Sequence, residues 1–149
     1  MIQRVQTLFL LVIFAVAICL LFLPFQVVQL DKGSFLLCLM PGCSSDIMSP
    51  AIYAPMALDA VVILLSLITV FRYKNRRLQI KLSNFLVLLN VFIIGLFFLL
   101  SFVKEDQKVV EAHYAIGAFL PVLSILCAFL ASYYIRKDEK LVRSADRIR

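Results

Sequence analysis

Asp59 is the residue of this chain best suited to chemistry, because it is the single acidic residue inside four long apolar stretches. A carboxyl at the centre of a bilayer costs about 2.5–3.5 kcal/mol or more, and such residues commonly bind ions or relay protons. Pro55 opens the same stretch, and His113 stands at the start of the last one. These positions predict that Asp59 and His113 lie at a similar level, either as a proton relay or as a structural, solvated pair.

The four cysteines fall into two groups. Cys38 and Cys43 share the segment between the first two apolar stretches, where an oxidising compartment would allow a disulfide that stabilises by about 2 kcal/mol. Two free thiols or a redox-active pair are the alternatives. The C-x4-C spacing and the absence of cysteine from segment 104–111 disfavour a thiol–disulfide enzyme. Cys19 and Cys127 lie within apolar stretches and are expected to be small apolar fillers.

Other catalytic arrangements are missing from the sequence. The chain has one histidine, which excludes a multi-histidine metal site, and its four glycines form no phosphate-binding loop. It also has no nucleophile elbow and no paired-carboxylate site. We therefore expect a non-enzymatic protein that holds no metal and no cofactor.

The elements that must position Asp59 are membrane-spanning helices. The hydrophobic fraction is 63% and the charged fraction 16%, against about 45–50% and about 25% in soluble domains. About 20 apolar residues cross the hydrocarbon layer, and backbone amides at that depth must pair within their own segment. The sequence predicts an all-α, single-domain antiparallel bundle of four transmembrane helices, with spans at 7–25, 55–71, 82–103 and 112–135 and a cytoplasmic tail at 136–149.

The basic residues predict the topology. Of the 15 basic residues, 12 lie in the N-terminal segment, the loop after the second span or the tail. Short basic loops stay in the cytoplasm, so both termini are predicted to be cytoplasmic. These side chains are expected to contact anionic lipid headgroups or a protein partner, and their division between spans disfavours nucleic acid. The residues concerned are Arg72, Lys74, Arg76, Arg77, Lys81, Arg136, Lys137, Lys140 and Arg143.

Polar and small residues inside the spans predict how the helices pack. Asn90 is expected to hydrogen-bond to a neighbouring helix. Pro121 is expected to bend the fourth span, because proline cannot donate a backbone hydrogen bond. One face of that span carries small residues that allow close helix approach, either within one bundle or as a hinge or homodimer seam. We call this face the small-residue seam; it consists of Gly117, Pro121, Ser124, Ala128 and Ser132.

Two further segments have predicted shapes. Segment 26–54 contains Pro41-Gly42, a strong turn signal, and is expected to form a short hairpin or to lie on the membrane surface. The tail is expected to continue the fourth span as a helix, with Glu139 and Arg143 spaced for a pair worth about 0.2–0.5 kcal/mol. Such a tail would either lie near acidic headgroups or serve as a docking stalk for a partner.

Three segments together resemble a known family. They are "MIQRVQTLFLL" at the start, "YKNRRLQIKL" in the basic loop, and "AIGAFLPVLSILCAFLASYYIRKDEKLVRSADRIR" at the end. The chain resembles an uncharacterised family of four-helix inner-membrane proteins of Bacteroidota, domain-of-unknown-function family 4293. The resemblance implies a location in the bacterial cytoplasmic membrane. It supplies no activity, substrate or catalytic residue.

Three functions are compatible with these features. The leading prediction is a non-enzymatic accessory or scaffold subunit of a membrane complex, because the chain is small and has a charged helical tail. The first alternative is a small oligomeric transporter that uses Asp59 as its proton-coupling carboxylate. The second alternative is a membrane thiol–disulfide oxidoreductase that uses Cys38 and Cys43.

Overall fold

The computed structural model describes residues 3–30, 33–40, 52–72, 75–103 and 109–146. Within these ranges the chain forms four long helices and one three-stranded sheet. The helices are α1 Gln3–Phe22, α2 Tyr53–Phe71, α3 Arg76–Val103 and α4 Leu120–Asp146, the last preceded by a 3-10 turn at Ile116–Phe119. The strands are β1 Gln26–Leu30, β2 Gly33–Leu37 and β3 Val109–Tyr114.

Each helix turns one narrow stripe of residues inward. In α1 the stripe contains Leu10, Ile13, Ala17 and Leu20, which are all at most 3% exposed. Their alternating spacing of three and four residues keeps one face of a helix on its neighbours. The helices pack in a closed ring, α1 on α2, α2 on α3, α3 on α4, and α4 on α1. Large apolar side chains on the other faces point away from the interior; Phe129, for example, is 68% exposed.

Four helices in the described part of the chain are long and apolar enough to cross a membrane, with mean hydropathies of 2.8, 2.2, 2.4 and 2.1. The predicted four-helix membrane bundle is therefore confirmed. The helical tail is confirmed as well, since α4 continues without a break to Asp146. The candidate spans are Val5–Phe22, Tyr53–Phe71, Arg76–Ser101 and Ile116–Glu139.

Two predicted span boundaries are wrong at one end of the bundle. Helix α1 ends at Phe22 and not at residue 25, and residues 112–114 belong to strand β3 and not to the fourth span. Pro24 stops α1, because the residue before a proline disfavours helical geometry. Backbone groups beyond Pro24 then pair in a sheet, which satisfies them without a helix. Helices α2 and α3 also begin earlier than predicted, at Tyr53 and Arg76.

The sheet has the strand order β2-β1-β3, and both pairings are antiparallel. Strands β1 and β2 of segment 26–54 thus pair as antiparallel neighbours. The predicted turn at Pro41-Gly42 lies outside the described residues. Strand β3 was not predicted; it pairs with β1, placing His113 opposite Val27.

The sheet is fixed to the bundle by backbone and aromatic contacts. The Phe25 and Phe97 rings stack with centroids 4.5 Å apart. The backbone N–H of Ala115 donates to Phe25 O at 3.1 Å, and that of Met40 donates to Leu21 O at 3.1 Å. We call this end of the bundle the sheet end. The opposite end, where α3 begins at Arg76, is called the basic end.

Pro121 does not interrupt the middle of a helix. The 3-10 turn passes into α4 at Leu120, so Pro121 is the second residue of the α-helix. A backbone N–H in the first helical turn has no partner within the helix, and proline is tolerated there. At the position of the predicted bend, the chain changes from a 3-10 turn to an α-helix.

Candidate functional site

Asp59 lies on the buried stripe of α2 and differs from its polar neighbours. Ser66 and Thr69 share the stripe, and their hydroxyls donate to carbonyl oxygens of the same helix at 2.8 Å and 2.6 Å. Asp59 is 1% exposed, and its Oδ2 has no hydrogen-bond partner among the described residues. Burying a carboxyl without a partner is costly. Asp59 is therefore the residue around which the candidate site is built.

Asp59 lies deeper than the first helical turn. It is six residues beyond Tyr53, a rise of about 9 Å along α2. The register between α2 and α3 is set by Gln79 Nε2, which donates to Thr69 O at 3.4 Å. Asp59 is ten residues before Thr69 and Asn90 is eleven after Gln79, so both lie about 15–17 Å from that contact. Asp59 and Asn90 therefore occupy the same layer of the bundle.

Asn90 does not make the predicted bond to a neighbouring helix. Its Nδ2 donates to Leu86 O, four residues earlier in α3, at 2.8 Å. This back-bonding satisfies the amide within its own helix and leaves Asp59 without that donor. The prediction for the Asn90 amide nitrogen is therefore wrong.

Two buried serines share the unusual state of Asp59. Ser83 of α3 is 0% exposed and Ser124 of α4 is 1% exposed, and neither Oγ has a hydrogen-bond partner in the described part of the chain. Buried polar groups in native proteins nearly always have a protein or water partner. Water molecules or a bound ion could satisfy the buried polar atoms of Asp59, Ser83 and Ser124.

The predicted pair of Asp59 and His113 is not formed. His113 lies on β3, where it is exposed, and not at the start of the fourth span. Asp59 forms no ion pair or hydrogen bond with His113. The chain uses residues 109–114 for the sheet, which carries His113 beyond the layer that contains Asp59.

The hydrogen bonds that do join helices lie toward the basic end, and sequence reasoning missed most of their residues. Gln6 Nε2 donates to Tyr134 O at 3.2 Å, and Ser132 Oγ donates to Asn84 Oδ1 at 3.1 Å. Gln79 supplies the α2–α3 contact described above. Gln6 and Gln79 could have been found from their spacing, because each continues the inward stripe of its helix by one more turn.

The small-residue seam of α4 and its preceding turn faces the bundle interior. All its members, Gly117, Pro121, Ser124, Ala128 and Ser132, are buried. At Gly117 the approach is closest, since its N–H donates to Pro24 O at 3.0 Å and an added Cβ would lie 2.5 Å from that oxygen. This face is occupied within one chain, so it is not exposed for pairing with a second copy.

The cysteines occupy distinct states. Cys38 is disulfide-bonded and 1% exposed, while its predicted partner, Cys43, lies outside the described residues. Cys19 and Cys127 are free thiols, the first exposed and the second buried. Cys127 packs within the main apolar core, as a small filler would.

The basic residues divide into paired and unpaired groups. Arg76 pairs with Asp138 at 3.3 Å, and Arg77 pairs with Glu139 at 3.7 Å, which ties the start of α3 to α4. The side chains of Lys74, Lys140 and Arg143 lie outside the described part, so the predicted Glu139–Arg143 pair does as well. Those without an ion-pair partner among the described side chains are Arg72, Lys81, Arg136 and Lys137.

The interior site can bind a proton or a small cation. Among the buried polar side chains of the described ranges, Asp59 is the one that can carry a charge. Within those ranges, no group of three His, Cys, Asp or Glu residues could hold a metal ion. The chemistry offered by this site is therefore that of a single carboxyl.

Comparison with known proteins gives a family match over nearly the whole chain. The model of the family described as "Domain of unknown function (DUF4293)" matches residues 2–148. No curated protein is detectably similar. The description of the family names no activity. The chain belongs to this family, DUF4293, and its fold is a four-helix membrane bundle closed at one end by a small sheet.

Proposed function

We propose that this protein spans the bacterial inner membrane four times and couples transport to a proton that Asp59 binds and releases. The observation that carries this proposal is the buried carboxyl of Asp59, which is 1% exposed and has no described partner for Oδ2. Ionisable residues inside membrane proteins are rare and commonly mark ion pathways and proton relays. A buried carboxyl whose Oδ2 has no partner among the described residues supports such a role for Asp59.

The charge distribution supports an orientation with the basic end in the cytoplasm. The basic end carries Arg72, Arg76, Arg77 and Lys81, and α4 adds Arg136 and Lys137. Basic residues within short loops and near helix ends remain on the cytoplasmic side. Both termini would then be cytoplasmic, and the sheet would face the opposite side.

The interior favours proton access from the basic end. That end buries Gln6, Thr69 and Gln79, and Ser83 lies between them and the layer of Asp59. By the same α2–α3 register, Val62 and Leu86 lie at one level and form an apolar layer just below Asp59. A proton from the basic end would therefore cross a single apolar layer to reach the carboxyl.

The sheet end buries fewer polar side chains than the basic end, namely Gln26 and Ser124. The apolar side chains of Leu20, Ile93 and Phe97 are also buried there, and Phe97 stacks on Phe25. Apolar side chains provide no hydrogen bonds for a chain of water molecules. Release toward the sheet end would accordingly require the helices to shift, which is the step that transport of a second solute would use.

Proton flux in liposomes tests the proposal. The purified protein is reconstituted with a pH-sensitive dye inside, and an imposed pH gradient drives uptake. Wild type is expected to carry protons, Asp59→Asn to abolish the flux, and Asp59→Glu to retain part of it. Asp138→Asn is the matched control, because that acid is paired with Arg76 outside the interior. Absence of flux from wild type, or equal flux from Asp59→Asn, would contradict the proposal.

A second function, an accessory or scaffold subunit, is favoured by the tail of α4. The tail continues as a helix to Asp146, eight residues beyond the Arg76–Asp138 contact that anchors it. This extension would rise about 12 Å beyond the anchoring contact and could receive a partner. Affinity purification from native membranes tests it: removal of residues 141–149 is expected to release a stoichiometric partner. Recovery of no such partner with the full chain would contradict this function.

A further inference from the structure

A groove runs along the outer face of the bundle between α3 and α4, close to the basic end. It has a volume of about 80 Å³ and is lined by Asn84, Phe129, Ser132, Tyr133 and Arg136. The Ser132–Asn84 hydrogen bond of 3.1 Å joins its two sides. Phe129 is seven residues from Arg136, a distance of about 10 Å along α4. The lining of the groove is thus mainly apolar, with Arg136 toward the basic end and Phe129 toward the middle of the bundle.

The Arg136 end of this groove carries uncompensated positive charge. The two arginines at the start of α3 are neutralised by acids of α4 at 3.3 Å and 3.7 Å. Lys81 and Arg136 have no such acid among the described residues. Lys81 is three residues before Asn84, and Arg136 is four after Ser132, so both lie about 5–6 Å from that hydrogen bond toward the basic end. Two cations therefore stand on opposite helices at one level.

We propose that this groove binds one anionic phospholipid. Its phosphate lies between Lys81 and Arg136, and one acyl chain lies along Phe129. Basic pockets between transmembrane helices favour anionic headgroups, and tyrosine at the position of Tyr133 suits the boundary between headgroups and acyl chains. The groove also opens on a face that lipid must cover, since Leu126 and Phe129 are 57% and 68% exposed.

Tryptophan fluorescence provides a direct test, because the chain contains no tryptophan. A Phe129→Trp reporter is placed in vesicles containing phosphatidylglycerol and phosphatidylcholine, with bromine on the acyl chains of one lipid at a time. Brominated phosphatidylglycerol is expected to quench more strongly than brominated phosphatidylcholine. In the same reporter, Arg136→Gln and Lys81→Gln are each expected to lower the preference about fivefold, while Arg136→Lys retains most of it.

Two controls separate this site from general surface charge. A Phe92→Trp reporter lies on an exposed α3 position outside the groove lining and is expected to be quenched equally by both lipids. Arg72→Gln removes a charge at the same end, directly after α2, and is expected to leave the preference unchanged. Equal quenching of the Phe129→Trp reporter, an equal loss with Arg72→Gln, or displacement by millimolar inorganic phosphate would each overturn the proposal.

Discussion

At Asp59, the requirements of stability and of function conflict. Asp59→Asn keeps the side-chain shape and removes the group whose burial as an ion is costly. We expect the free energy of unfolding to stay the same or to rise by about 1–2 kcal/mol, while proton flux is lost. Thermal unfolding in detergent measures the first effect. A clear loss of stability in Asp59→Asn would instead indicate a structural partner for the carboxyl.

Gly117 is required by a close backbone approach, and the chain supplies a matched control. A Cβ at Gly117 would lie 2.5 Å from Pro24 O, whereas one at Gly95 would meet nothing within 4 Å. Because a backbone oxygen cannot rotate away, Gly117→Ala is expected to destabilise by about 1–3 kcal/mol. Gly95→Ala lowers the conformational entropy of the unfolded chain at a helical position and is expected to stabilise by up to about 1 kcal/mol. Comparison of the two melting temperatures in one detergent measures both.

At the residue scale, the sequence predicted which groups are unusual better than it predicted what they touch. Asp59 stood out because any acid in an apolar stretch does. The bond of Asn90 to Leu86 was not foreseen, because an amide in a helix can satisfy itself four residues back as readily as across helices. Gln6 was missed because it lies outside the first predicted span, although it continues the buried stripe of α1.

At the scale of elements, the helices were predictable and the sheet was only partly so. A stretch of about 20 apolar residues is a strong local signal. Strand β3 has the sequence VVEAHY, which is short, and its pairing partner β1 is about 80 residues away in the chain. Strand preference depends on such neighbours. The fourth span was therefore predicted to begin at residue 112, although a strand and a 3-10 turn precede α4.

The two ion pairs between α3 and α4 are expected to differ in strength. Arg76 and Asp138 are 28% and 13% exposed, whereas Arg77 and Glu139 are 78% and 23% exposed. Exposed pairs contribute roughly 0–1 kcal/mol and are screened by salt. Double-mutant cycles with alanine should therefore give a coupling near 1 kcal/mol for Arg76–Asp138 and a smaller, salt-sensitive value for Arg77–Glu139. A larger coupling energy for the more exposed pair, Arg77–Glu139, would contradict the expectation that the more buried pair is the stronger one.

For the whole molecule, the two ends of the bundle differ in polarity and charge. The basic end buries several amides and hydroxyls and carries cations that have no ion-pair partner among the described side chains. The sheet end has stacked aromatic rings, a sheet docked on the helices and the buried amide of Gln26. The charge asymmetry was readable from the sequence. The asymmetry of the interior was not, because it depends on the register between helices, which a few hydrogen bonds fix.

The orientation of these ends can be measured with single cysteines. Asn75→Cys is placed at the basic end and His113→Cys on the sheet, where both native residues are exposed. The background carries Cys19→Ser and Cys127→Ser, which remove the free thiols. Because basic loops are retained in the cytoplasm, a membrane-impermeant maleimide should label His113→Cys in intact cells.

Asn75→Cys should react only after the inner membrane is permeabilised. The background chain without either new cysteine controls for labelling of other positions. Labelling of Asn75→Cys in intact cells, with His113→Cys protected, would show that the orientation is the opposite of the one predicted. The polar half of the interior would then face the periplasm, and Asp59 would take its proton from that side.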